Sequence, residues 1–99
     1  MSNFKIIWTQ EAENDYDAIY EYYILISSNI ALKILNSISE SVDNLVFEKQ
    51  FQTDNINPNY RRIISGNYKI LYRVENDKII IFAIFDTRQN PIRLEKIRR

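Results

Sequence analysis

Arg61, Arg62, Lys69 and Arg73 recur through a stretch of alternating side chains, and Arg88 follows a long apolar run in the segment Asp86-Thr87-Arg88-Gln89-Asn90-Pro91. Guanidinium groups make bidentate contacts with phosphate or carboxylate, so this set could grasp an anionic macromolecule. Arg93, Lys96 and Arg98 add to it in the closing tail, PIRLEKIRR. Groups for proton transfer are scarcer. The chain has no histidine and no cysteine, so disulfides and thiolate sites are impossible, and a zinc site would have to use carboxylates alone. No metal and no cofactor is expected. Asp86 stands two residues from Arg88 and reads as a paired anion with a lowered pKa, which makes it a poor base. Arg88 itself has two readings. It can act from a loop held by a rigid strand, where activity concentrates, or it can serve the structure by pairing with Asp86 or a loop carbonyl. Among the tyrosines, Tyr72 is the candidate proton donor.

Charge is divided unevenly along the chain. Residues 1 to 59 hold three cations against nine anions, and residues 60 to 99 hold ten against four, within a formal net charge of zero. One surface could therefore meet an anionic partner, or acidic helices could lie beside a basic sheet and neutralise it. Strand alternation places Arg61 and Arg62 on opposite faces unless a bulge intervenes.

The elements that must position these groups follow from the hydrophobic pattern. Ninety-nine residues suit one domain, residues 1 to 99, with a single core. Phe4 to Trp8 is an apolar run read as a first strand. Thr9 can cap a helix from Gln10, with Glu11, Glu13 and Asp15 near its positive end. Ala12, Tyr16, Ile19, Tyr20, Tyr23 and Ile24 form its buried stripe, which leaves Tyr22 exposed. Ser27-Ser28-Asn29 breaks the pattern and starts a second helix, whose stripe is Ile30, Ile34, Leu35, Ile38, Val42, Leu45 and Val46. Glu48 to Asn59 has no period and is rich in Asn, Asp and Pro, as a surface loop would be.

From Tyr60 to Pro91 the chain reads as three strands joined by turns at Ser65-Gly66-Asn67 and Glu75-Asn76-Asp77. Tyr68, Ile70, Tyr72 and Val74 share one face; Lys69, Leu71 and Arg73 share the other, which is expected to be cationic. Tyr60, Tyr68 and Tyr72 are read as sheet-core residues with hydroxyls at the rim. Ile79 to Phe85 has no polar residue, which suits a strand covered on both faces or flanked by other strands and predicts the centre of the sheet. The fold class is thus α+β: an N-terminal strand, a two-helix hairpin and a three-stranded antiparallel meander, with the helices on one face. The opening MSNFKIIW is neither a signal peptide nor a membrane span, so a cytoplasmic protein is expected.

The segments FKIIWTQEAENDYDAIYEYY, YRRIISGNYKILYRVENDKIIIFAIF and DTRQNP together resemble the RelE/ParE superfamily, the toxins of bacterial type II toxin-antitoxin modules. The resemblance covers nearly the whole chain. It implies a cognate antitoxin whose C-terminal segment wraps the toxin in a hetero-oligomer, and a target that is either DNA gyrase or mRNA on the ribosome.

In the ribonuclease branch, attack by a 2′-hydroxyl needs a base, a group that stabilises the phosphorane and an acid. The resemblance matches Arg61 or Arg62, Lys69 and Arg88 to that branch's basic residues, and Tyr72 could be the acid. The tail PIRLEKIRR has no tyrosine, however, and a neutral chain is unlike a protein that draws most of its affinity from phosphate contacts. The gyrase-directed branch is therefore preferred, with Arg61, Arg62, Arg73, Arg93, Lys96 and Arg98 as target- or antitoxin-binding groups. An inactive interaction module is the third possibility.

Overall fold

A computed structural model of the chain describes residues 5–48, 53, 54 and 59–88. Strand β1 (Lys5–Trp8) leads into helix α1 (Gln10–Ile24) and helix α2 (Ser28–Glu48); strands β2 (Arg61–Ser65), β3 (Tyr68–Glu75) and β4 (Lys78–Asp86) follow. The sheet order is β1-β4-β3-β2, with β1 parallel to β4 and the other pairs antiparallel. The apolar strand β4 therefore lies between two neighbours, and the expected α+β architecture is present. Phe4 and Val46 lie outside the residues whose side chains are described.

Local chemistry explains the boundaries. The Thr9 hydroxyl accepts the Ala12 N–H at 3.2 Å, and Glu11 and Glu13 occupy the first turn of α1 where the helix dipole favours them. Helix α1 ends where Leu25 and Ile26 turn away, and the Ser27 hydroxyl and carbonyl accept the Ile30 and Ala31 N–H groups to open α2. Both hairpin turns need a left-handed residue. Gly66 supplies φ 59° between β2 and β3, and Asn76, one of the few side chains that tolerates the region, supplies φ 56° between β3 and β4.

The helical hairpin covers one face of the sheet. Ala12 and Ile19 of α1 and Leu35, Ile38, Val42 and Leu45 of α2 pack against Ile63, Tyr68, Ile70, Tyr72, Ile79, Ile81 and Ile84. Each fully buried aliphatic side chain of this kind contributes about 1.5–3 kcal/mol. Tyr20 departs from the expected stripe and is exposed, because the packed contacts follow Ala12, Tyr16, Ile19 and Tyr23, one position round the helix.

The opposite face is the main correction to the sequence reading. Leu71, Ala83, Phe85 and Tyr60 form a second buried cluster there, flanked by Phe82. Lys69 sits beside it at 4 % exposure, so this face is not a solvated cationic surface. A β-bulge in β4 enlarges the cluster. Leu71 pairs with Ala83 and Tyr72 with Ile81, which leaves Phe82 as the extra residue and puts it on the same side as Ala83.

Candidate functional site

The expected surface loop before β2 is partly docked onto the sheet. Thr53 bridges to Arg61, the Asp54 N–H donates to the Tyr60 carbonyl at 2.9 Å, and the Asp54 carboxylate meets Lys69 Nζ at 2.6 Å with both side chains almost fully buried. An ammonium group held in this way cannot reach a phosphate in solvent. Lys69 is thus buried and paired where a solvent-facing cation was expected. Asp54 was the missing half of that pair, and nothing in its Asn- and Pro-rich surroundings distinguishes it from an ordinary turn residue.

Arg73 is committed to the same face. Its guanidinium lies 4.5 Å from the Tyr60 ring centre and 5.3 Å from that of Phe82, and Nε donates to the Asn59 carbonyl at 3.2 Å. Such stacking covers the aromatic cluster while leaving the side chain partly accessible. Arg61 and Arg62 face opposite sides of β2, opposite Tyr72 and Leu71 respectively, as strand alternation requires. Both are half-buried, and they do not form one site. Arg93, Lys96 and Arg98 lie outside the described residues.

Tyr72 is fully buried between the sheet and the hairpin, with its hydroxyl pKa raised by burial, partly offset by the Arg61 charge. Its side chain is enclosed by the core and does not line an open surface, where a solvent-facing hydroxyl was expected.

Arg88 stands apart from these. It is 60 % exposed and forms a fork with Asp86: Nε to Oδ1 at 2.9 Å, Nε to Oδ2 at 3.1 Å and Nη2 to Oδ2 at 2.5 Å, with the Arg88 N–H also donating to Oδ1 at 2.8 Å. The hydrogen bonds from Arg88 lower the Asp86 pKa, and those bonds together with one to the Tyr23 hydroxyl raise that of Arg88. The Tyr68 hydroxyl donates to Tyr23 at 3.3 Å and has its pKa raised, first by burial and then by that neighbour. Strand ends β3 and β4 and the last turn of α1 therefore converge on one cluster: Tyr23, Tyr68, Asp86 and Arg88. The sequence showed the Asp86–Arg88 pairing as an alternative, but Tyr23 was assigned to packing alone.

The electrostatics of the cluster suit binding rather than proton transfer. A general acid or base works best with a pKa near the operating pH. Here Asp86 moves further below neutrality and Tyr68 and Arg88 further above it. What remains is a rigid, partly exposed guanidinium with aromatic neighbours, the composition that dominates interface affinity.

The ParE toxin family of type II toxin-antitoxin systems (parDE) matches residues 6–91. Among solved structures, the chain is similar to one described as the chromosomal ParDE toxin-antitoxin system from P. aeruginosa. The two are 27% identical with a TM-score of 0.74, over 87% of this chain and 98% of the other. No curated protein matches it.

Proposed function

Since the chain belongs to the ParE family of type II toxins, we propose that it arrests growth by binding and poisoning DNA gyrase, as a stoichiometric binder and not a hydrolase. The observation that carries this reading is the burial of Lys69 against Asp54, which removes the central cation that a phosphorane-stabilising site on β3 would need. Inaccessible Tyr72 and the outward pKa shifts of Asp86, Tyr68 and Arg88 support it, because these groups are moved away from the range in which a side chain exchanges protons at neutral pH.

Arg88 is the described cation best placed to touch the target, with Tyr23 and Asp86 holding its orientation. A cognate antitoxin neutralises the toxin, and the pair acts in the cytoplasm; no described helix is long and apolar enough to cross a membrane.

Expression without the antitoxin tests the proposal in cells. Growth should stop with double-strand breaks accumulating in the chromosome while mRNA stays intact. Fragmented mRNA with an unbroken chromosome would transfer the protein to the ribonuclease reading, and unchanged growth would make it an interaction module.

A further inference from the structure

Arg88 meets Asp86 side-on. Nε contacts both carboxylate oxygens and Nη2 contacts Oδ2, so the fork uses one edge of the planar guanidinium. A guanidinium carries its N–H donors in a fixed geometry on more than one edge. The end-on edge, formed by the Nη1 N–H groups and the outer one of Nη2, lies beyond the fork on a side chain that is 60 % exposed. The Arg88 backbone N–H also donates to Oδ1, so this edge is aimed by a closed local ring of hydrogen bonds. The Tyr23 hydroxyl is a hydrogen-bond neighbour of the same guanidinium and accepts from the Tyr68 hydroxyl. Its own proton has no acceptor among the described residues and can be donated outward. A guanidinium edge beside a phenol O–H has the donors that an oxyanion needs.

The register of the sheet says which oxyanion. A nucleic-acid backbone draws its affinity from several cations that follow the phosphates. Arg88 has no such company on the sheet. At its end, where Ser65, Tyr68 and Asp86 line up, the other described cation is Lys69, which is buried against Asp54. Arg61 and Arg62 stand farther along β2, opposite Tyr72 and Leu71, and Arg73 and Lys78 lie towards the opposite end, opposite Ile80 and Glu75. Helix α1, which supplies Tyr23, carries Glu11, Glu13, Asp15, Asp17 and Glu21 and no cation. Such surroundings repel a polyanion, whereas a single anion held by direct bonds escapes most of that field.

We propose that the outer edge of Arg88 and the Tyr23 hydroxyl form a subsite for one side-chain carboxylate, an aspartate or glutamate, presented by the surface of the gyrase target. Asp86 is then a positioning residue that holds the guanidinium side-on so that its other edge faces the partner. The source of the carboxylate rests on the gyrase reading; the subsite itself follows from the fork.

Two measurements test the subsite and its source separately. Sodium acetate is titrated into the purified toxin, freed of antitoxin, against sodium chloride at equal ionic strength, with the Arg88 side-chain N–H and Tyr23 ring signals followed by NMR. Acetate should move both signals to saturation while chloride leaves them in place; equal responses to the two salts overturn the subsite. The affinity of toxin variants for purified gyrase without DNA is then measured. Arg88→Lys keeps the charge and loses the planar edge, so it should weaken binding at least about tenfold, and Tyr23→Phe about threefold to tenfold, both with wild-type circular dichroism. Lys78→Met removes an exposed charge at the opposite end of β4 and should leave binding unchanged. An Arg88→Lys toxin that binds gyrase like wild type overturns the proposal and leaves the gyrase reading standing. A toxin that responds to acetate but never binds gyrase overturns the gyrase reading and the assigned source, and leaves the subsite. Binding that appears only with DNA and falls steeply with salt would give Arg88 to a phosphodiester, and overturns the proposal as well.

Discussion

Replacing Lys69 with methionine should leave the Asp54 carboxylate buried without its counter-charge, and replacing Asp54 with asparagine should do the same to the Lys69 ammonium. The pair is 2.6 Å apart, with side-chain exposures of 6% and 0%. Breaking a buried pair from one side costs about 3–5 kcal/mol, a large part of the roughly 5–15 kcal/mol that holds a domain together. In a chain of this size, even 3 kcal/mol lowers the midpoint of thermal unfolding by at least about 12 °C. Removing both charges with Asp54→Leu and Lys69→Met should cost less than either single change, because no uncompensated ion remains. Urea unfolding followed by circular dichroism measures all three variants. Single losses below about 1 kcal/mol, the range of a solvent-exposed pair, would refute the argument and show that the Asp54 segment does not seat on the sheet in solution.

Thr9→Ala should cost about 1 kcal/mol by removing the cap of α1, and Thr9→Ser should restore most of it in the same unfolding assay. Asp15→Ala should cost about 1.5–3 kcal/mol, since its carboxylate accepts the Ile84 N–H at 3.0 Å on the part of β4 that lies beyond the pairing with β1. The Tyr68 pKa is raised on folding, so its contribution is fully present below the unfolded value of about 10 and is lost as pH rises beyond it; thermal midpoints between pH 9 and 11 should fall less steeply in Tyr68→Phe than in wild type. Arg88→Ala should reduce toxicity while leaving thermal stability within error, because the guanidinium is largely in solvent; an equal loss of stability would make it a structural residue.

Much of the architecture was legible because its determinants are local. Thr9, Ser27, Gly66 and Asn76 set the element ends through groups within a few residues, and the helical and alternating stripes marked one face of each element. The far face of the sheet was legible on β4, whose unbroken apolar run suits cover on both sides, and not on β3. Lys69 alternates with Tyr68 and Ile70 like any outward-facing cation, and its burial depends on Asp54, fifteen residues earlier in a segment without hydrophobic period. The bulge at Phe82 likewise shifts the alternation of β4 inside a run that is apolar at every position, where no polar residue could mark the change. The Arg88 cluster was half visible. Its link to Asp86 is local, while Tyr23 and Tyr68 join it only through the contact between the end of α1 and the sheet. For the same reason the described cations after residue 59 do not share one face: Lys69 and Arg73 pack on the far face, and Arg61 and Arg62 point to opposite sides.

Supercoiling by purified DNA gyrase, measured with increasing toxin and then with antitoxin added, tests most directly whether this protein works by grasping the enzyme. Inhibition with trapped, cleaved DNA that saturates near one toxin per gyrase site, and reversal by the antitoxin, is the predicted result. Undisturbed supercoiling at toxin concentrations that cut mRNA on ribosomes would contradict it.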